Sequence, residues 1–174
     1  SRECQIVVVS ILVNPTQFND KADLQSYPRT LDNDVIVAEK AGATILFTPT
    51  PKDIYGGTPY AEPVDYGLIT STFEGLSRQG HFDGVVSVVD KLFLAVKPNR
   101  AYFGSKDLQQ VAVVEKMSSE RHPKIKIVSC DLIRDENGLA LSSRNIRLSD
   151  AGIIVAQNIS QELQTVAERV KEGR

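Results

Sequence analysis

Two kinds of apolar pattern alternate along the chain. Residues 5–13 (QIVVVSILV) are almost continuously apolar and β-branched, which predicts a strand buried on both faces of a parallel sheet. Residues 14–29 are polar and contain Pro15 and Pro28, which predicts a loop with at most a short turn. Thr30 fits the N-cap of a helix over residues 31–41. Asp32 and Asp34 fall in its first turn, where the helix dipole favours acids, and Gly42 fits its C′ position. Residues 43–48 read as the next strand, ended by the prolines at 49 and 51. A loop rich in Gly, Pro and Tyr follows to about Val64.

Residues 67–76 predict a short helix and residues 77–80 a polar loop. Residues 82–96 predict a longer helix, because Val85, Val86, Val89, Leu92, Phe93 and Val96 fall on one stripe. A short strand over 100–103 ends at Gly104 and leads into a helix over 107–118. A strand over 124–133, a turn around Asp135-Glu136-Asn137-Gly138 and a long helix over 149–171 complete the chain. Strands alternating with helices at this spacing predict an α/β fold with a Rossmann-like, doubly wound parallel sheet.

Polar clusters follow three of the strand-like runs. Asn14 and Gln17 come after the first, and Gly104, Ser105, Lys106, Asp107 and Gln110 after the third. Ser142, Ser143 and Arg144 come after the fourth and its turn. In open α/β sheets ligands bind beyond the carboxyl ends of the strands, so these clusters predict a pocket for a small anion. Two readings stand for Asn14 and Gln17: amides that hold a hydroxyl or carboxylate, or a turn in which Asn14 bonds its own backbone before Pro15. Lys106 sits where a helix begins directly after a strand, a natural place for phosphate; the plain alternative is a surface pair with Asp107. Asp107 itself suits a helix cap, an orienter of Lys106 or a partner for a ribose hydroxyl. Gln109 reads as the solvent-facing neighbour of Gln110. Ser142, Ser143 and Arg144 combine two hydroxyls with a guanidinium that can grip two phosphate oxygens.

The remaining candidates are weaker. His81 suits a base, a substrate ligand or a helix-entry residue, and His122 beside Pro123 reads as surface. Two histidines without metal-ligand spacing argue against a His-based metal site. Asp34, with Asp32, approaches a magnesium only as a loose expectation. Neither a Walker-type run nor a Gly-x-Ser-x-Gly elbow is present.

Composition narrows the classes. The 174 residues are 41% hydrophobic and 24% charged, ordinary for a globular protein, and the formal net charge of −2 argues against a general nucleic-acid binder. No apolar run approaches the roughly 18–20 residues that span a bilayer, and no leader pattern opens the chain, so no membrane role is expected. Cys4 and Cys130 offer no disulfide framework and read as buried, reduced thiols of a cytoplasmic protein.

Taken in order, six blocks resemble the pantothenate synthetase (pantoate–β-alanine ligase) family. They are VSILVNPTQFN at 9–19, YPRT at 27–30, EGLSRQGHFDGV at 74–85, KLF at 91–93, AYFGSKDLQQ at 101–110 and GLALSSRN at 138–145. The resemblance implies an enzyme that condenses pantoate with β-alanine at the expense of ATP. The pantoate carboxylate attacks the α-phosphorus, pyrophosphate leaves, and the amine of β-alanine then attacks the pantoyl adenylate. It implies that Gln17 and Gln110 hold pantoate, and that Gly104, Lys106 and Asp107 contact the nucleotide with Lys106 on its phosphates. Ser142, Ser143 and Arg144 would hold phosphate oxygens, with magnesium carried on the ATP. A loop over 19–29 would act as a lid that keeps water off the mixed anhydride.

The same resemblance implies a domain over 1–145 that binds ATP and pantoate, and the start of a C-terminal domain over 146–174, mainly one helix. It implies a cytoplasmic homodimer. The family's first strand and its HIGH-type histidine signature lie upstream of the strand that opens this chain, and no such signature occurs here. The chain is therefore expected to be a trimmed piece of a longer protein; the alternative is a fold that compensates by repacking or dimerisation. Ser105 stands where the family has Glu, Gln79 where it has Pro, and Asn33 interrupts an acidic stretch. A second functional reading is a nucleotide- or pantoate-binding fragment without turnover; a third is another adenylating nucleotidyltransferase, such as a cytidylyltransferase.

Overall fold

The computed structural model describes residues 3–173, which form two compact units that divide between Cys130 and Asp131. The first unit opens with β1 (Val8–Ser10), a 3₁₀ turn (Pro15–Gln17), α1 (Lys21–Ser26), α2 (Leu31–Lys40) and β2 (Ile45–Phe47). It continues through α3 (Pro51–Tyr55), α4 (Leu68–Ser71), α5 (Glu74–Ser77) and α6 (His81–Val96). β3 (Arg100–Gly104), a second 3₁₀ turn (Ser105–Asp107), α7 (Leu108–Arg121) and β4 (Lys126–Cys130) close it.

The α/β class holds, but the single sheet resolves into two parallel pairs. β1 pairs with β2 from Val8↔Ile45 to Ser10↔Phe47, and β3 pairs with β4 from Arg100↔Lys126 to Gly104↔Cys130. Among the described residues no strand joins the pairs. β1 is accordingly shorter than its apolar run, and it is not buried on both faces. Val8 and Val9 are half-buried and Ile6 is 62% exposed. Its partner β2 is itself only three residues long, so the ladder ends where that partner does.

The core lies between α6 and α7. Phe82, Val85, Val86, Val88, Val89 and Phe93 pack against Val113, Val114 and Met117, all buried. Each such side chain contributes about 1.5–3 kcal/mol by leaving water. The expected stripe is shifted: Phe82 and Val88 join it, while Leu92 and Val96 are only half-buried. Leu12, just beyond β1, and Ala101 and Phe103 of β3 also pack on this cluster, so the helical core reaches the tips of both strand pairs.

Three segments differ from the pattern. α1 forms within the expected loop because Asp20 caps it, accepting from the Ala22 N–H at 2.8 Å. α3 forms where a Gly- and Pro-rich loop was expected. Thr50 and Asp53 make a reciprocal capping box, Pro51 occupies the first turn, and Gly56 ends the helix at φ +71°. The Thr50 bonds hold the Asp53 carboxyl below its ordinary range. The helix expected over 67–76 is broken into α4 and α5. Phe73 takes φ +47° between them, and a Cβ on Gly75 would lie 2.6 Å from the Thr70 carbonyl carbon. α2 follows its prediction and Gly42 takes φ +84°, but the Thr30 hydroxyl donates to Asp34 Oδ1 at 3.1 Å rather than accepting from the helix backbone.

In the second unit a turn closed by the Arg134↔Ala140 bridge precedes a 3₁₀ turn (Ser143–Arg147) and α8 (Asp150–Lys171). Ser149 caps α8 through the Gly152 N–H at 3.1 Å. Ser160 of α8 donates to the Gly138 carbonyl at 2.6 Å and accepts from Arg134 at 2.8 Å, which fastens the turn to the helix. No helix of the described residues is long and apolar enough to cross a membrane.

Candidate functional site

The first cluster is built on the 3₁₀ turn that follows β1. Asn14 caps that turn and is 2% exposed, so every polar atom of its side chain needs a partner. Its Nδ2 donates to the Gly84 carbonyl at 3.1 Å and to Gln17 Oε1 at 3.3 Å. Its Oδ1 accepts from the Thr16 N–H at 3.4 Å and from the Tyr55 hydroxyl at 2.8 Å. Asn14 thus follows the turn reading: it bonds its own turn, and its amide is spent on internal partners, one of which is Gln17.

The start of α6 supports this turn. His81 is buried, and its Nδ1 lies 2.8 Å from the Gln17 carbonyl oxygen, which places the proton of the neutral ring on Nδ1. Burial holds His81 below the ordinary imidazole range; the Gln17 carbonyl opposes that shift and Arg78 adds to it. The side chain thus anchors the backbone of Gln17. Gly84, one turn along α6, lies so close that an added Cβ would be 2.5 Å from the Thr16 carbonyl carbon and 2.6 Å from the Gln17 nitrogen. Asn19 donates to the Gln79 carbonyl and ties the next residues to the same loop.

The second cluster lies at the β3–α7 junction. Gly104 ends β3, Lys106 and Asp107 form the 3₁₀ turn, and Gln110, half-buried, lies in the first turn of α7. Lys106 Nζ is 3.4 Å from Asp107 Oδ1, with the lysine side chain 38% exposed. Asp107 stands at the N-cap of α7 without making a side-chain cap bond, so of its proposed roles the structure gives it the pairing with Lys106. That leaves the first-turn N–H groups of α7 beside a flexible cation, an arrangement suited to an anion.

Gln109 is not solvent-facing. Its Oε1 accepts from the Glu74 N–H at 3.0 Å, and its Nε2 donates to the carbonyls of Ile69 and Thr72 at 3.0 and 2.8 Å. It joins α7 to the broken α4–α5 segment. His122 is not surface either: its side chain is 13% exposed, meets Phe93 edge-to-face, and lies 2.5 Å from Asp90. Cys130 is exposed and Cys4 is half-buried, so neither thiol is fully buried as expected.

Ser142, Ser143 and Arg144 lie in the second unit. Ser142 caps the short 3₁₀ turn, accepting from the Arg144 N–H at 3.2 Å, while Ser149 serves α8. Asp34 is half-buried in α2 and accepts from Thr30. Among the described residues no three or more His, Cys, Asp or Glu side chains converge as a metal site. A cleft of about 200 Å³ between Tyr60, Glu62, Asp90, Lys91 and Arg121 is lined by none of the predicted site residues.

Comparison with known proteins gives one family. The model described as Pantoate-beta-alanine ligase matches residues 1–174. A pantothenate synthetase of Bacteroides fragilis is 49% identical over 92% of this chain and 57% of its own length. That of Cytophaga hutchinsonii is 44% identical over 99% of this chain and 60% of its own. The chain thus spans about three fifths of the length of these curated relatives. The crystal structure of pantothenate synthetase from Thermus thermophilus superposes at TM-score 0.92 with 40% identity, covering 99% of this chain and 62% of that one. A Francisella tularensis pantoate-beta-alanine ligase, complexed with beta-gamma ATP and beta-alanine, superposes at TM-score 0.88 with 40% identity, over 94% of this chain and 62% of that one.

Proposed function

The chain belongs to the pantoate–β-alanine ligase family, and from that premise we propose that it contributes the acid- and nucleotide-binding site for the ATP-dependent joining of pantoate to β-alanine. The pantoate carboxylate attacks the α-phosphorus of ATP and pyrophosphate leaves. The amine of β-alanine then attacks the acyl carbon of the adenylate, and AMP leaves with the bridging oxygen. No covalent nucleophile from the protein is required. The task is to align two reactants and to stabilise charge at phosphorus.

The observation that carries this reading is Gln17. It stands beyond the carboxyl end of a parallel strand, its amide pinned by Asn14 and its backbone by His81. Gln17 and Gln110 would grip the hydroxyl and carboxylate oxygens of pantoate. Lys106, with Gly104 and Asp107, would meet the nucleotide, and Ser142, Ser143 and Arg144 would hold phosphate oxygens. Magnesium would enter on the phosphates of ATP. Residues 146–174 would begin the second domain, and the working protein would be a cytoplasmic homodimer.

The test is AMP release measured with each substrate omitted in turn. The reading expects AMP only when pantoate, β-alanine and ATP are all present. Saturable ATP binding without AMP would favour the alternative, a binding fragment without turnover. AMP that forms without either pantoate or β-alanine would overturn the assignment.

A further inference from the structure

We propose that Tyr55 is a positioning residue that, acting through Asn14, steadies the Gln17 amide in the orientation that meets the acid; this rests on the ligase reading above. The polarity of the Asn14 amide is fixed by two backbone groups. The Thr16 N–H can only donate, so it meets Oδ1, and the Gly84 carbonyl can only accept, so it meets Nδ2. With Nδ2 placed, the Gln17 atom 3.3 Å away must be an acceptor, which is Oε1. Gln17 therefore turns Nε2 outward, and among the described residues that nitrogen has no acceptor. It offers two N–H donors to a carboxylate or hydroxyl oxygen and repels an ammonium group.

Tyr55 closes this arrangement from α3. Its hydroxyl is 2.8 Å from Asn14 Oδ1 and 3.0 Å from Thr16 Oγ1, which is itself 3.1 Å from Oδ1. Two hydroxyl protons thus serve a triangle of oxygens, and both are drawn toward Asn14. Without the Tyr55 proton, Oδ1 keeps one hydroxyl and a backbone contact at 3.4 Å. The Asn14 amide then rocks more freely, and the Gln17 amide with it. Lys91 Nζ lies 5.5 Å from the Tyr55 ring centroid and holds the ring in place.

The experiment compares the protein with Tyr55→Phe, which keeps the ring and its contact with Lys91 and removes only the hydroxyl. The pantoate KM should rise about fivefold to tenfold, the size of one lost hydrogen bond in a network, with the ATP KM unchanged. A second readout needs no ligand: the side-chain amide ¹H–¹⁵N signals of Asn14 and Gln17 should both move. An unchanged pantoate KM with unmoved amide signals overturns the proposal, and so does an equal rise in both KM values. If the unsubstituted protein turns over no pantoate, the ligase reading fails by itself. The amide signals then decide the positioning role alone, movement supporting it and no movement overturning it.

Discussion

His81 shows how one side chain links the stability of the chain to its site. Its ring is buried, so protonation is resisted in the folded state, although the bond to the Gln17 carbonyl opposes that shift. The unfolded chain takes up that proton near pH 6.5. Between the lowered folded value and 6.5 the unfolded state binds more protons, so stability rises with pH across that window. The contribution is complete above about pH 6.5 and is lost as the pH falls below it. His81→Gln, which keeps a donor for the carbonyl and cannot titrate, should flatten this dependence. Urea midpoints at pH 5 and pH 7 check it: the fall toward pH 5 should be larger in the unsubstituted protein. At this scale the sequence marked Gln17, Lys106 and Gln110 as candidates, because their place beyond apolar strands is visible in the order of residues. It did not expose Tyr55 or Gln109. Their partners are Asn14, 41 positions away, and carbonyls 37 and 40 positions away, and nothing local marks such contacts.

Among elements, the contact between α6 and the turn after β1 matters most. Gly84 permits it, since any Cβ there meets the Thr16–Gln17 backbone at 2.5–2.6 Å. Gly84→Ala should destabilise the protein by about 1–3 kcal/mol, the range for overpacking a tight contact. It should also raise the pantoate KM more than the ATP KM, because the displaced segment carries Gln17 and not Lys106. Denaturant melts and steady-state kinetics check the two parts. Element types were largely legible: α2, α6, α7, β3, β4 and α8 all lie within their predicted segments or overlap them closely. α3 was hidden because Pro51 and Gly56 read as breakers, although both suit the ends of a short helix. The break at Phe73 was hidden because nothing in the residue order marks its positive φ or the close approach of Gly75 to the Thr70 carbonyl.

For the whole molecule, the alternation of strands and helices correctly gave an α/β fold, and the Thermus thermophilus structure shares it at TM-score 0.92. Two separate parallel pairs were not legible, because a single apolar run does not reveal how many neighbours its strand has. What the fold does supply is a common support. The α6–α7 core receives Leu12 from beyond β1 and Phe103 from β3, so both polar clusters of the first unit stand on one packed base. The account's central claim is that these clusters divide the substrates, acid on the glutamines and nucleotide on the lysine. Steady-state kinetics of Gln17→Ala, Gln110→Ala and Lys106→Ala test it most directly. Each glutamine variant should raise the pantoate KM by about tenfold or more with little change for ATP, while the lysine variant slows adenylation, as expected for a lost charged contact. A Gln110→Ala effect that falls wholly on ATP would contradict the claim.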